Sequence, residues 1–214
     1  MKIIQTLLIL LVFHKGYSQS EIGIKAGINY TNNVIVSDET QTLSGFNIPK
    51  RTYRTSYHVG IAASMQVSEK LQFTPEVLFS NKGFTTEAIT GAQETNVSLN
   101  YVNIPLLLQY DLFENTGIQF GPEVGLLLTA SQKIGSEKFD VGDFWNNKID
   151  FGMSAGASHQ ISERLKLHAR YTHGFLSVVS DIILFDEFGD VIDDKVRFAN
   201  RAFQLSLVYS LMKN

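Results

Sequence analysis

The stretch Glu21–Tyr30 reads EIGIKAGINY, and its side chains alternate at every step between apolar ones and polar or small ones. Ile22, Ile24 and Ile28 stand at even positions, and Lys25 stands among odd positions that otherwise carry Glu, Gly or Asn. A period of two indicates a β-strand whose two faces meet different surroundings. This stretch therefore predicts a strand with one apolar and one polar face.

Seven further stretches repeat this alternation, each close to the ~9–11 residues with which a tilted strand crosses a membrane. They are Tyr57–Ser68, Leu71–Lys82, Tyr101–Leu112, Ile118–Leu128, Phe151–Ser158, Leu165–Phe175 and Phe203–Leu211. Tight connections such as 113–116 alternate with long ones at about 31–56, 83–100, 130–149 and 176–201. Together these features predict an all-β protein, an eight-stranded antiparallel up-and-down transmembrane β-barrel with short periplasmic turns and long extracellular loops.

The sizes of the side chains indicate which face is outside. A soluble carrier barrel also alternates, but it turns its apolar face inward. Here the polar face is rich in Gly, Ala and Ser, which suits the crowded interior of eight strands, and the bulky Leu, Ile, Val and Phe suit lipid. Aromatic residues near the predicted rims suggest an interfacial girdle. They are Tyr30, Tyr57, Phe84, Tyr110, Phe113, Phe175 and Tyr209.

Three prolines, Pro75, Pro105 and Pro122, fall inside predicted strands. Each removes one ladder hydrogen bond, so each counts against its strand. Each proline could mark either a β-bulge or the start of a strand.

Composition and charge exclude several classes of function. The 214 residues are 44% hydrophobic and 18% charged, with a net charge of −3 and no Cys. A chain without Cys has no disulfide framework, thiolate metal site or Cys nucleophile. Because no basic block is present, no nucleic-acid partner is expected.

The first eighteen residues have the layout of a secretory signal. Lys2 precedes the apolar run Ile3–Phe13, and the small-residue pattern Gly16-Tyr17-Ser18 follows. The run is too short to span a bilayer as a helix. We expect residues 1–18 to be a signal peptide cleaved after Ser18, which leaves residues 19–214 as the barrel domain in the outer membrane of the cell.

Several motifs resemble the outer-membrane β-barrel family that is often labelled "porin family" or PorT-like, with a shape like OmpA and OmpX. The matching stretches are Gly23–Gly27, Tyr101–Leu108, Gly121–Gly125, Asp150–Gly152, Leu167–Tyr171 and Asn200–Tyr209. The resemblance covers the mature chain and implies architecture rather than activity. It also implies handling by the barrel-assembly machinery, although five residues follow Tyr209, where such chains commonly end on an aromatic residue.

Four charged residues, Lys25, Glu76, Glu123 and Arg170, are predicted to point into the lumen. Unpaired buried charge is costly, so these residues are expected to form a charge network. A salt-bridge plug is one interpretation of this network, and a gate across a narrow ion path is the other.

Catalytic, cofactor and metal sites are not expected. The histidines lack the HxH or HExxH spacing of a zinc site, and neighbours such as Ser158 and His159 point to opposite sides of the wall. The acids of the last long loop do not match an EF-hand. They are Asp181, Asp186, Glu187, Asp190, Asp193 and Asp194.

The functional prediction is a structural or interaction scaffold that presents surface loops, or an accessory to surface assembly or secretion. Its partners are outer-membrane lipid and a protein at the long loops, where apolar residues interleave with the acids and Trp145 offers a contact. A narrow channel is the first alternative and a lipid-modifying barrel hydrolase the second.

Overall fold

A computed structural model describes residues 20–36, 50–88, 93–179, 184–185, 191–193 and 197–213. Eight long strands form the body of the protein. They are β1 (Ser20–Val36), β2 (Arg51–Ser68), β3 (Leu71–Thr86), β4 (Thr95–Phe113), β5 (Thr116–Ile134), β7 (Ile149–Ser162), β8 (Leu165–Gly174) and β11 (Arg197–Lys213). Three short strands complete the described part: β6 (Glu137–Asp140), β9 (Leu184–Phe185) and β10 (Val191–Asp193). The predicted signal segment lies outside the described residues, and no described helix is long and apolar enough to cross a membrane.

The eight long strands close into an antiparallel ring in which each strand pairs with its neighbours along the chain. β4 pairs with both β3 and β5, and β1 pairs with both β2 and β11, so the first and last strands complete the ring. Glu21 lies opposite Lys213, which places both described ends at the rim that carries the tight turns. The predicted eight-stranded up-and-down barrel is confirmed.

The apolar face of the wall points outward. Large apolar side chains are exposed on it, among them Ile24, Ile61, Phe120 and Leu207. Lys25, the residue that follows Ile24 on β1, is fully buried. A soluble carrier would have these faces exchanged, so that alternative is wrong. The outward band matches hydrocarbon, and the inward side chains fill a lumen that eight strands leave only wide enough for side chains.

Several strands extend further than predicted at the extracellular end of the barrel, next to the long loops. β1 continues to Val36, β3 to Thr86 and β5 to Ile134, where β6 pairs with residues 131–134. Beyond the lipid band the outer face meets water, so the apolar alternation that marks a membrane strand fades while the backbone ladder continues. Much of the sequence predicted as long loops is therefore a sheet above the membrane.

The three prolines are neither bulges nor strand starts. Pro75 pairs with Leu106, and the same register resumes at Leu78 and Asn103. Pro105 lies opposite Glu123, and Pro122 lies opposite Met153, well inside β4 and β5. The wall tolerates each missing donor because the ladders on both sides hold the strand in place.

Candidate functional site

The lower lumen cluster consists of Lys25, Glu76 and Arg170. The Arg170 guanidinium donates from Nη1 to Glu76 Oε2 at 2.9 Å and from Nη2 to Glu76 Oε1 at 2.7 Å. Lys25 Nζ donates to the same carboxylate at 2.9 and 3.0 Å, and Arg170 Nη2 also reaches Gln119 at 3.2 Å. Two cations face one carboxylate, so this fully buried cluster carries a formal charge of +1.

The upper lumen cluster consists of Lys82, Glu123 and Asp150 and lies nearer the extracellular end. Lys82 Nζ lies 3.2 Å from Glu123 Oε1 and 3.6 Å from Asp150 Oδ2. The side chains of Asn103, Ser154 and Thr172 donate to Glu123. The formal charge here is −1, which balances the lower cluster.

Uncharged side chains on β1, β2 and β11 form a hydrogen-bond network on the inner side of the wall. His58 Nδ1 lies 2.7 Å from Asn29 Oδ1, and His58 Nε2 lies 2.8 Å from Ser206 Oγ. Asn29 Nδ2 also donates to the carbonyls of Tyr57 and Asn81, where the β2–β3 register shifts. The network therefore ties the four strands β1, β2, β3 and β11 together from inside.

The contact between His58 and Ser206 is a Ser–His pair that the comparison of chain neighbours such as Ser158 and His159 did not reveal. Residues 148 positions apart meet because β2 and β11 both neighbour β1, a relation that spacing along the chain does not reveal. A hydrolase needs such a pair, but it also needs a cavity for substrate beside the hydroxyl. His58, Ser206 and Asn29 are all buried, and none of them lines a described cavity.

A polar vestibule opens at the periplasmic end of the lumen. It has a volume of about 190 Å³ and is lined in part by Glu21, Gln72, Gln109, Asp111 and Lys166. Lys166 pairs with Glu21 at its wall. The vestibule ends inward at the lower lumen cluster, since the narrower space beyond it reaches Glu76 and His168.

The extracellular core closes the opposite end. We give this name to the buried apolar cluster Phe84, Val97, Leu99, Tyr101, Leu127, Ala130, Trp145, Val178, Val179 and Phe198. The Arg51 guanidinium lies 4.5 Å from the Phe84 ring centre and 4.2 Å from that of Phe198. Asn200 links Tyr101 to Asp150, so the core rests directly on the upper lumen cluster.

Two aromatic predictions are wrong at this core. Phe84 is not part of an outer girdle, because it is 3% exposed and packs on Trp145 with ring centres 6.0 Å apart. Trp145 is itself buried rather than available for a contact. Both residues lie beyond the lipid band, where a large aromatic side chain finds its apolar surroundings inside the sheet.

The four predicted lumen residues all lie inside the barrel, but in two clusters. Lys25, Glu76 and Arg170 meet directly, and Glu123 belongs to the second cluster with Lys82 and Asp150. Sequence reasoning missed these last two residues. Lys82 follows Ser80 on the inward face of β3, so continuing the alternation by one step would have found it.

No group of three metal-ligating side chains occurs among the described residues. Of the six acids in the last long loop, Asp181, Asp186, Glu187, Asp190 and Asp194 lie outside the described residues, and only the backbone of Asp193 is described.

Several solved structures are similar to this chain at low sequence identity. Among solved structures, Neisserial surface protein A is 12% identical, with 89% of this chain and 97% of that chain covered and a TM-score of 0.49. The attachment invasion locus protein Ail of Yersinia pestis is 11% identical (90% and 99% covered, TM-score 0.48). OprG from Pseudomonas aeruginosa is 10% identical (92% and 98% covered, TM-score 0.46).

No curated protein sequence matches the chain. The family described as "Outer membrane protein beta-barrel domain" matches residues 15–180, well over half of the sequence. A family of this kind implies residence in the outer membrane. The closed ring of strands and its outward apolar band agree with a β-barrel domain in the outer membrane. The chain belongs to the outer membrane protein beta-barrel domain family.

Proposed function

We propose that the protein is a non-conducting membrane scaffold that displays the sheet above the membrane as an interaction surface. The observation that carries this proposal is the filling of the lumen from the vestibule upward. The lower lumen cluster, the upper lumen cluster and the extracellular core follow one another along the barrel axis. An ion would have to break buried charge pairs and then cross an apolar layer.

The charge pairs favour a plug over a gate. Breaking a buried pair leaves an uncompensated charge, at a cost of about 3–5 kcal/mol. Glu76 accepts from both Lys25 and Arg170, so opening the lower cluster breaks several charge-assisted hydrogen bonds at once. A barrier of this size favours a lumen that stays filled over a path that opens often.

The display surface is the outer side of the extracellular sheet and its connections. Phe139 on β6 and Phe144 after it are both exposed, in contrast to the buried Trp145 beside them. Val141, between these two residues, packs against the extracellular core, and the Phe144 ring contacts that of Trp145. A partner that binds here would therefore meet a preformed surface.

Conductance measurements test the closed barrel. The full-length chain, refolded into a planar bilayer, should give no current steps above the empty membrane. Arg170→Ala should also stay silent and melt earlier, because the extracellular core still seals the lumen. Steps from the wild type, or steps that appear in Arg170→Ala with an unchanged melting temperature, would support the channel instead.

Photo-crosslinking on intact cells tests the display role. A benzophenone amino acid at Phe139 or Phe144 should give a discrete protein adduct. The same probe at Phe113, an exposed residue next to the periplasmic turn that joins β4 and β5, is the matched control and should not give that adduct. The same adduct from all three positions, or no adduct from the two extracellular ones, would contradict the proposal.

A further inference from the structure

A narrow space continues inward from the periplasmic vestibule, and we call it the inner neck. It has a volume of about 20 Å³, and its lining includes Gly23, Ala62, Glu76, Lys166 and His168. Gly23 and Ala62 have the smallest of these side chains, so they leave room beside the lower lumen cluster. A space of this size holds one particle as large as a water molecule or a halide ion.

The His168 ring presents a hydrogen-bond donor that is not used within the barrel. His168 is 5% exposed, and its Nδ1 lies 3.5 Å from Lys25 Nζ. A lysine ammonium can only donate, so Nδ1 accepts and the ring proton is on Nε2. Nε2 is buried and has no hydrogen-bond partner among the described residues. The inner neck is thus bordered by a ring whose free N–H lacks an acceptor.

The side chains beside His168 on the adjoining strands are engaged elsewhere. Its ladder partners are Ser158 on β7 and Ser206 on β11. The Ser158 hydroxyl donates to Gln109 at 3.0 Å, and the Ser206 hydroxyl lies 2.8 Å from His58 Nε2. A buried donor that stays unpaired costs free energy. An occupant of the inner neck that accepts a hydrogen bond is therefore favoured.

The other unpartnered atoms of the lumen differ from His168 in their surroundings. Arg170 Nε has an unpartnered acceptor, Gln204 Oε1, at its ladder partner, so a small shift would join the two. Asn103 Oδ1 and Asp150 Oδ1 are acceptors at the upper lumen cluster, and neither residue lines a described cavity. Among the described residues, His168 thus combines an unused donor with a space beside it and a route to the periplasm.

The charge of the lower lumen cluster favours an anion over water in the inner neck. This cluster carries a formal charge of +1, and the compensating charge lies above it at Glu123, which accepts from Thr172. Thr172 is one strand step of about 7 Å above Arg170, whereas His168 is one step below. A negative charge at His168 is therefore closer to the excess positive charge than to Glu123.

The acids of the vestibule limit the charge of the occupant. Glu21 is paired with Lys166, and each carboxylate oxygen of Asp111 accepts from a side-chain amide. Glu114, on the turn between β4 and β5, lines the same vestibule. These negative groups border the path from the periplasm, so they repel a multivalent anion more strongly than a monovalent one. The occupant that fits is small and singly charged.

We propose that the inner neck binds one halide-sized, monovalent anion, such as chloride, which enters from the periplasm and accepts a hydrogen bond from His168 Nε2. Hydrogen bonds to an ionised acceptor are stronger than those to a neutral one. The anion offsets the excess charge of the lower lumen cluster on its vestibule side. It remains below the charge pairs that fill the lumen, so the site creates no path across the membrane and does not depend on the display role.

Chloride-dependent stability tests the proposal, because a ligand that binds only the folded protein stabilises it. The full-length barrel is unfolded by urea in lipid vesicles, in sodium chloride and in sodium gluconate of equal ionic strength. Gluconate screens charges equally but is too large for the inner neck. In about 0.1 M chloride the unfolding equilibrium constant should be about ten-fold lower than in gluconate, which corresponds to a Kd of about 10 mM.

Substitutions of the donor locate this effect. His168→Phe removes the N–H and should abolish the difference between the two salts. His168→Gln keeps an N–H donor and should retain part of the difference. His159→Phe, the same substitution at an exposed residue of the periplasmic rim, is the matched control and should retain all of it. If His168→Phe lacks the heat-dependent gel shift of a folded barrel, Ala62→Val, which fills the inner neck from β2, replaces it.

Bromide gives a direct view of the site, because it scatters X-rays anomalously. Crystals grown in sodium bromide should show an anomalous peak within hydrogen-bond distance of His168 Nε2. Equal stability in chloride and gluconate is the result for a neck that holds only water, and it would overturn the proposal. An undiminished chloride effect in His168→Phe would do the same. A bromide peak without chloride-dependent stability would mean binding at crystal concentration only and would also overturn it.

Discussion

Arg170 and Glu76 join across the barrel through two parallel hydrogen bonds of 2.7 and 2.9 Å, although 94 residues separate them in the chain. Arg170 lies on β8 and Glu76 on β3, strands that stand four places apart in a ring of eight. The pair therefore spans the diameter of the lumen. It braces opposite walls that share no backbone hydrogen bond.

Removal of one member of this pair should destabilise the barrel strongly. Arg170→Met is expected to lower the free energy of unfolding by about 3–5 kcal/mol, because the wild-type contact with Glu76 is fully buried. Urea unfolding in lipid vesicles measures this change. Lys166→Met, which removes the partner of Glu21 at the more open vestibule, is the control and should cost about 1 kcal/mol or less. Equal losses in both variants would contradict the bracing role.

The upper lumen cluster should respond unequally to the loss of its two kinds of charge. Lys82→Met leaves Glu123 and Asp150 facing each other without a cation and should cost about 3–5 kcal/mol. Asp150→Asn removes the excess negative charge and keeps a polar group beside Asn200, so it should change stability by less than about 1 kcal/mol. The same unfolding assay compares them. A larger loss in Asp150→Asn than in Lys82→Met would show that the charge assignment is wrong.

Two glycines on the inward face of β5 should differ in their tolerance of a methyl group. A Cβ at Gly121 would lie 2.1 Å from the backbone oxygen of Leu106, whereas one at Gly125 would lie 3.0 Å from the side-chain amide of Asn103. Gly121→Ala must displace a wall strand and should cost about 1–3 kcal/mol, but Gly125→Ala requires only a side-chain adjustment. Folding yield and urea unfolding measure the difference. Similar behaviour of the two variants would count against the close approach of β4 and β5.

The extracellular core should unfold separately from the membrane-spanning wall when its largest side chain is removed. Trp145→Ala leaves a cavity among Phe84 and its neighbours, with a local cost of about 3–5 kcal/mol. Limited proteolysis from outside the cell should then cleave the region above the membrane, while the remaining barrel keeps its gel shift on heating. Phe144→Ala, which removes the exposed neighbouring ring, should stay resistant. Loss of the gel shift in Trp145→Ala would show that the core and wall form one cooperative unit.

Ser206 should be unreactive toward a fluorophosphonate, despite its hydrogen bond to His58. The hydroxyl is buried and borders no described cavity, so the reagent cannot reach it. Mass spectrometry of the treated, folded barrel checks for the adduct. An adduct that disappears in both Ser206→Ala and His58→Gln would instead support the hydrolase.

Alternation along single strands predicted the wall well. It placed Lys25 and Arg170 inside and Ile24 and Leu207 outside, because lipid and lumen impose opposite demands on successive side chains. It could not predict which inward residues would meet, since Arg170 reaches Glu76 through the geometry of the closed ring. It also failed for Phe84 and Trp145. Above the lipid band, burial depends on how loops fold over the sheet rather than on the alternation.

The division of charge between the two lumen clusters bears on how the nascent chain inserts. A half-formed wall made of β1 to β4 would hold Lys25 with Glu76, but Lys82 would still lack Glu123 and Asp150, which arrive on later strands. Arg170 arrives later still. This intermediate would therefore expose the unpaired charge of Lys82, which is neutralised only when the later strands complete the ring. This favours release into the bilayer in one late step over stepwise insertion of hairpins.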